Sequence, residues 1–191
     1  MRTSRISRET KETQISLTLC LDGGETRVDT GIGFFDHMLT AFAFYSGFGL
    51  ELKAVGDLNV DCHHTVEDVG ICLGQALREA LGDKRGIARF GTAFVPMDEA
   101  LCRTVLDISN RPFLVYEAEM PQSAVGAYHS CLTEEFMRAF AVNSGITLHM
   151  SCLYGKNAHH ITEALFKSLG LALKVAAAVE GDGVASAKGL L

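Results

Sequence analysis

The sequence contains an internal repeat, and this repeat limits the possible folds more than any other feature. Residues 63–77, HHTVEDVGICLGQAL, and residues 159–173, HHITEALFKSLGLAL, are identical at seven of fifteen positions. About one identity is expected by chance. A second matching pair lies upstream, at residues 41–50 and 139–148. The two pairs occur in the same order, 96 and 98 residues apart, which indicates that the chain arose by duplication.

We expect two half-repeats, residues 1–92 and 93–191, that fold together as one compact domain. No Pro- or Ser-rich linker separates them. Apolar periodicity predicts strands and two helices in each half, so the predicted fold class is α+β with internal pseudo-twofold symmetry. The predicted strands are Ile15–Leu21, Phe48–Ala54, Leu101–Ile108, Phe113–Met120 and Ile146–Leu153, and the predicted helices are Phe34–Ser46, His63–Leu81, Thr133–Asn143 and Ala158–Val179.

Composition and charge argue against several classes of protein. Hydrophobic residues make up 48 % of the 191 residues, which is enough for a core without disulfide bonds. The six cysteines form no C-x-x-C pair, so we expect reduced thiols and a soluble, cytoplasmic protein. The sequence contains neither an apolar leader nor a run of about 18 apolar residues, so we do not expect secretion or membrane insertion. The net charge of −6 argues against a nucleic-acid partner.

The repeated motif His-His-x-x-Glu suits a divalent metal ion, because imidazole and carboxylate are the usual ligands of Mn, Fe, Zn and Ni. On a helix, His63 and Glu67 share one face, whereas His64 lies about 100° away. The second copy, residues 159–163, has the same spacing. A pseudo-twofold axis therefore predicts an exchange, in which the second histidine of each copy joins the first histidine and the glutamate of the other.

A fourth ligand for each site is expected from equivalent positions of the repeat. His37 aligns with Glu135. The predicted sets are His37, His64, His159 and Glu163 for one site, and Glu135, His160, His63 and Glu67 for the other. Neither set contains a thiol, which favours Mn(II) or Fe(II) over a structural zinc ion. His129 and His149 have no counterpart ligand in the repeat, so we interpret them as pocket-lining or structural residues.

Basic residues in Gly- and Ser-containing turns predict an anion site. They occur in Asp83–Gly91, which contains Arg89, in the turn Ser109–Pro112 around Arg111, and in Ser186–Gly189 near the end of the chain. Arg and Lys bind phosphate well, and backbone N–H groups add donors. The spacings match no nucleotide-binding motif, so ATP and NAD are not supported.

With these motifs in place, the chain resembles the imidazoleglycerol-phosphate dehydratase family, which acts in histidine biosynthesis. The resemblance covers nearly the whole length. It runs through Arg8–Thr13, Leu21–Gly23, Gly31–Leu39, Asp61–Asp68, Lys84–Gly91, Pro96–Leu101, Gly155–His160 and Ser186–Gly189. It implies a duplicated fold similar to ribosomal protein S5 domain 2, two Mn(II) ions per active site, and a homo-oligomer of 24 subunits with sites at subunit interfaces.

The resemblance also assigns residues. The substrate-binding residues that it implies are Glu12, Arg89, Arg111, Lys167, Ser186 and Lys188. Two positions depart from the family pattern. Glu135 stands where relatives often have His, and Ala187 stands where they often have a second Ser, which removes one hydroxyl donor.

The implied reaction converts imidazole glycerol phosphate to imidazole acetol phosphate and water. It is expected to proceed through an imidazolate stabilised by two metal ions. Glu12 is our first candidate for the carboxylate that transfers protons, and Glu163 is the second.

Two other functions remain open at this point. A dinuclear phosphohydrolase could use the same ligands and anion pocket, and it would release inorganic phosphate. A metal-storing cage is the alternative outside enzymes, although the alternating strands argue against the long helical bundles of such proteins.

Overall fold

The computed structural model describes residues 1–191 and contains two units with the same order of elements. The first unit consists of β1 (Thr3–Glu9), β2 (Thr13–Cys20), β3 (Thr26–Asp29), α1 (Gly33–Ser46), β4 (Gly49–Gly56) and α2 (His63–Leu81). The second unit consists of β5 (Phe90–Met97), β6 (Ala100–Asp107), β7 (Phe113–Glu117), the short hairpin strands β8 (Ala124–Val125) and β9 (Tyr128–His129), α3 (Leu132–Ser144), β10 (Thr147–Tyr154) and α4 (Ala158–Ala176). None of the helices combines the length and apolar character that a membrane span requires.

The two four-stranded sheets have the same topology. Their strand orders are β1-β2-β4-β3 and β5-β6-β10-β7. The pairs β4-β3 and β10-β7 are parallel, and all other neighbouring strands in the two sheets are antiparallel. The α+β class and the duplication that the sequence predicts are therefore confirmed.

The helices form the interior of the domain, and each sheet covers one side of them. Helix α1 packs on α4 and α2 packs on α3, so the helices of one unit bury those of the other. Five phenylalanine rings at the centre of this contact are at most 1 % exposed and touch one another edge-on or stacked. They are Phe35, Phe42, Phe136, Phe140 and Phe166.

Helix boundaries follow from local chemistry. Helices α1 and α3 both end at a glycine in the left-handed conformation, Gly47 with φ 74° and Gly145 with φ 72°, which is the usual way to terminate a helix. Helix α2 spans the predicted residues. Helix α4 ends at Ala176, three residues before its predicted end, because Val179 instead forms a β-bridge with Ile87.

Five strands are absent from the sequence prediction, namely β1, β3, β5 and the two-residue hairpin strands β8 and β9. Strand β1 alternates mostly exposed and half-buried polar residues, and β3 has only four residues, so neither carries a clear apolar pattern. Helix α2 ends at Leu81 and β5 begins at Phe90, so the first unit gives way to the second just before Thr92. The division into residues 1–92 and 93–191 stays a prediction.

The close helix contacts depend on two glycines at equivalent positions of the repeat. A Cβ atom at Gly74 would lie 2.7 Å from the carbonyl oxygen of Phe140, and one at Gly170 would lie 2.7 Å from that of Phe42. Both oxygens belong to helix backbones, which cannot move aside as a flexible side chain can. These glycines therefore set how closely α2 approaches α3 and α4 approaches α1.

We expect Gly74→Ala and Gly170→Ala each to destabilise the protein by about 1–3 kcal/mol, because overpacking must separate the helices. In a domain of this size that lowers Tm by about 2–4 °C per kcal/mol. Gly33→Ala is the matched control, because a Cβ at Gly33 meets no atom within 4 Å. Thermal unfolding by circular dichroism measures all three. An unchanged Tm for both interface variants would show that the helix contact is looser than described.

Candidate active site

Three predicted ligands come together where α1 and α4 begin. The ligand atoms of His37, His159 and Glu163 all lie within 4.8 Å of one another. Glu163 Oε2 is 3.1 Å from His159 Nε2 and 3.7 Å from His37 Nε2. No other three His, Cys, Asp or Glu side chains in the chain form such a group. We call these three residues the His37 group.

Local structure holds the His37 group in place. Asn157 caps α4 by accepting hydrogen bonds from the backbone N–H groups of His159 and His160. The ring of Phe34 packs edge-on against the His159 ring, with 4.9 Å between centroids. The spacing of four residues within one helix turn then brings His159 and Glu163 to the same face.

Glu163 is the buried charge of this group, with 8 % of its side chain exposed. Burial pushes the pKa of Glu163 up, but its contacts with the Lys167 ammonium at 2.7 Å and with His37 and His159 outweigh burial. The net pKa of Glu163 is therefore lowered, and the side chain is an ionised carboxylate at neutral pH. This state suits a metal ligand, whereas a general acid would need a proton.

The first-half motif is only partly assembled within one chain. His63 Nε2 lies 3.6 Å from Glu67 Oε2, as their spacing on α2 predicts. Glu135 lines a pocket beside α3 together with Glu134 and Cys131, and it forms no hydrogen bond or ion pair with His63 or Glu67. The two predicted four-ligand sets are thus not brought together in a single chain.

His64 and His160 each contact a carboxylate that the sequence does not predict. His64 Nδ1 is 3.0 Å from Asp57 Oδ2, and His160 Nδ1 is 2.6 Å from Glu99 Oε2. These hydrogen bonds raise the pKa of both histidines. The hydrogen bond from His160, with those from two backbone N–H groups, lowers the pKa of Glu99 to about 2. Asp57 and Glu99 each lie next to a strand end, and only the fold shows that they face these histidines.

The predicted anion site is a pocket of about 510 Å³ in which three of the predicted basic turns meet. Its lining includes Arg89, Arg111, Ser186 and Lys188. Asp107, which the sequence analysis also missed, pairs with both arginines at 2.7 Å and 3.3 Å. Three cations and one carboxylate leave two positive charges, which matches the charge of a phosphate monoester near neutral pH.

Two predicted substrate-binding residues lie outside this pocket. Lys167 Nζ contacts Glu163 and stands over the Tyr45 ring, 5.4 Å from its centroid. Glu12 lies in the β1–β2 turn, about half exposed, with a carboxylate oxygen 3.9 Å from His64 Nδ1. Their roles toward substrate stay predictions.

The two remaining histidines do not join the His37 group. His129 Nδ1 lies 3.1 Å from the thiol of Cys131 on an exposed hairpin. His149 is exposed on β10. The structure therefore gives neither residue a place among the candidate ligands.

Fold and site together describe an enzyme built from a duplicated α+β unit, with a histidine–carboxylate group and a separate pocket for an anion. The sequence model of the family described as imidazoleglycerol-phosphate dehydratase matches residues 30–173. The chain belongs to the imidazoleglycerol-phosphate dehydratase family, and it is therefore a dehydratase.

Individual relatives agree over almost the full length. The imidazoleglycerol-phosphate dehydratase of Gluconobacter oxydans is 56 % identical and covers 100 % of this chain and 98 % of its own. That of Acetivibrio thermocellus is 53 % identical, covering 97 % of each. The crystal structure of the Staphylococcus aureus enzyme superimposes with a TM-score of 0.85 at 40 % identity, covering 93 % of this chain and 99 % of that one. The crystal structure of the Pyrococcus furiosus enzyme superimposes with a TM-score of 0.86 at 42 % identity, covering 97 % of this chain and 100 % of that one.

We expect Arg111→Ala to raise KM for a phosphate-bearing substrate by about 10- to 100-fold, because a hydrogen bond to a charged group contributes about 1.5–3 kcal/mol. Arg111 is 66 % exposed, so the fold should survive its removal. Arg27→Ala serves as control, since Arg27 is also exposed and paired with a carboxylate. Steady-state kinetics measure the effect, and an unchanged KM would remove Arg111 from the pocket's function.

Proposed function

We propose that this dehydratase of histidine biosynthesis converts imidazole glycerol phosphate to imidazole acetol phosphate and water. The observation that supports the substrate is the pairing of a histidine–carboxylate group with a phosphate-sized basic pocket on one chain. An imidazole ring is itself a metal ligand, and a glycerol phosphate arm ends in an anion. The substrate thus has one feature for each part of the site.

The residues present fit a divalent metal ion. The His37 group offers two imidazole nitrogens and one ionised carboxylate within 4.8 Å, which is a donor set typical of Mn(II) or Fe(II). The hydrogen bonds of His64 and His160 are made through Nδ1, so neither Nε2 forms one, and the Asp98 carboxylate lies 3.6 Å from His160 Nε2. When bound, two divalent ions would supply the positive charge that stabilises the imidazolate form of the substrate ring. We propose two Mn(II) ions per active site, held by the eight predicted ligands.

The protein's own residues would bind the substrate and move its protons. We propose that Arg89, Arg111, Ser186 and Lys188 hold the phosphate, and that this remote contact fixes the chain for reaction. Dehydration removes a hydroxyl group next to the ring and a proton from the neighbouring carbon. Glu12 is the carboxylate that we propose for this proton transfer, because its side chain is half exposed and makes no hydrogen bond of its own.

We also propose that subunits complete one another's sites in a homo-oligomer of 24 chains. Two features of the single chain support this. The predicted ligand sets stay incomplete, and large apolar side chains such as Phe44, Phe113 and Tyr154 are more than 60 % exposed. Exposed apolar surface of this kind is typical of protein interfaces. The six free cysteines are consistent with the cytoplasmic location that we propose.

The direct test incubates the purified protein with Mn(II) and imidazole glycerol phosphate and follows the ketone product. We expect product formation that is lost with a chelator and restored by Mn(II). Release of inorganic phosphate without ketone would contradict the proposal and identify a phosphohydrolase.

Size-exclusion chromatography with light scattering tests the assembly on the same samples. If ligands bridge subunits, metal binding and association are linked, so chelation should convert a large particle into smaller oligomers. A chelated sample that keeps its full size would contradict bridging through the metal.

Glu135 provides a test of the second ligand set. Glu135→Ala should lower metal content to about one ion per chain, because it removes one carboxylate ligand from one site only. Glu135→His should keep both ions, since imidazole can replace carboxylate as a ligand. Metal analysis of the dialysed variants distinguishes them. Two tightly held ions in Glu135→Ala would remove Glu135 from the ligand set.

A further inference from the structure

The duplication gives Glu12 an equivalent residue that the sequence alignment did not identify. Strands β1 and β2 pair in the register Thr3 with Cys20, and β5 and β6 pair in the register Phe90 with Asp107. Thr3 and Cys20 of the first unit therefore correspond to Phe90 and Asp107 of the second, each 87 residues later in the chain. The same shift carries Glu12 onto Glu99, and each glutamate directly precedes the second strand of its hairpin.

Both oxygens of the Glu99 carboxylate have hydrogen-bond partners within the protein. Its Oε1 accepts hydrogen bonds from the backbone N–H groups of Lys156 and Asn157 at 3.1 Å and 2.8 Å. Its Oε2 lies 2.6 Å from His160 Nδ1. One carboxylate therefore fixes both the start of α4 and the ring that follows it, and each of its oxygens already has a hydrogen-bond partner within the protein.

The Glu12 side chain makes no hydrogen bond because Asp57 occupies the position beside the His64 ring. Asp57 lies 3.0 Å from His64 Nδ1, whereas Glu12 is 3.9 Å away and makes no side-chain hydrogen bond. Asp57 directly follows β4, and the residue that directly follows β10 is Gly155. The second unit has no carboxylate at that position, and its hairpin glutamate takes the place beside Nδ1 of the histidine. The Asp98 carboxylate lies on the other side of the ring, 3.6 Å from His160 Nε2.

We propose that Asp57 and Glu99 are positioning residues for His64 and His160, and that Asp57 thereby leaves Glu12 available for proton transfer. A carboxylate beside Nδ1 holds the ring proton there and fixes the ring plane, so Nε2 presents its lone pair to a metal ion. The two units reach the same ring geometry with different carboxylates. This inference rests on the proposed metal-dependent function, and it assigns different work to Glu12 and Glu99.

The test measures Mn(II) affinity of the metal-free protein by titration calorimetry, together with its melting temperature and its kinetics when loaded. Asp57→Asn and Glu99→Gln keep the shape of each side chain and remove its charge. We expect both to weaken Mn(II) binding about 10- to 100-fold, as is usual for outer partners of metal-bound histidines. The melting temperature of metal-free Asp57→Asn should change little, whereas Glu99→Gln should lower it as well, because Glu99 also binds the backbone at the start of α4.

Glu12→Gln is the decisive comparison, because Glu12 is the structural equivalent of Glu99. It should keep wild-type Mn(II) affinity and lose kcat. Glu25→Gln, an exposed glutamate in a surface ion pair, controls for loss of charge alone and should change neither quantity.

The possible failures are distinguishable. If Asp57→Asn and Glu99→Gln bind Mn(II) as tightly as the wild type, the inference is wrong even when the enzyme is active. If they lose only melting temperature, the two carboxylates have a structural role and the inference is again wrong. If the wild type itself binds no Mn(II), the proposed function fails first.

Discussion

The mutual burial of the two helix pairs is the constraint on which the rest of the structure depends. Each sheet covers only one side of its own helices, so a single unit would leave the opposite side in water. Packing α1 on α4 and α2 on α3 buries Phe35, Phe136 and Phe166 completely. Burying an aromatic side chain of this kind contributes about 1.5–3 kcal/mol. Neither unit can keep that contribution alone, which explains why the duplicated halves form one domain.

The same packing places the candidate ligands. Because the helices of different units lie side by side, the second turn of α1 brings His37 beside His159 and Glu163 on α4. Glycines at the helix contacts set the separation, since a Cβ at Gly170 would meet the backbone of α1 at 2.7 Å. The apolar core thus fixes the distance between the polar groups at its edge. Chemistry at the helix ends depends on packing several turns away.

The sequence predicts the parts that repeat or alternate. The paired His-His-x-x-Glu motifs and the glycine that ends α1 are readable from spacing alone, and both fall where predicted. Strand β1 cannot be predicted in this way, because its inward-facing positions are Ser4, Ile6 and Arg8 and so carry no apolar alternation. The contacts of Asp57, Glu99 and Asp107 with histidine and arginine side chains cannot be predicted from the sequence either. Each of these residues belongs to a strand end or turn that meets its partner only through tertiary folding, and an acidic residue in a turn is ordinarily just solvated.

A duplicated site need not stay symmetric, and this chain shows how the symmetry is lost. The two hairpins carry a glutamate at the same place, Glu12 in the first unit and Glu99 in the second. The first unit also has a carboxylate, Asp57, directly after β4, whereas the second unit has Gly155 directly after the equivalent strand β10. In the second unit Glu99 must therefore hold His160 and the start of α4 together. In the first unit Asp57 meets that requirement, and the Glu12 side chain makes no hydrogen bond and lies 3.9 Å from His64 Nδ1. A single carboxylate beside β4 is thus enough to give two equivalent glutamates different surroundings, since Glu99 contacts His160 and the start of α4 whereas the Glu12 side chain makes no hydrogen bond.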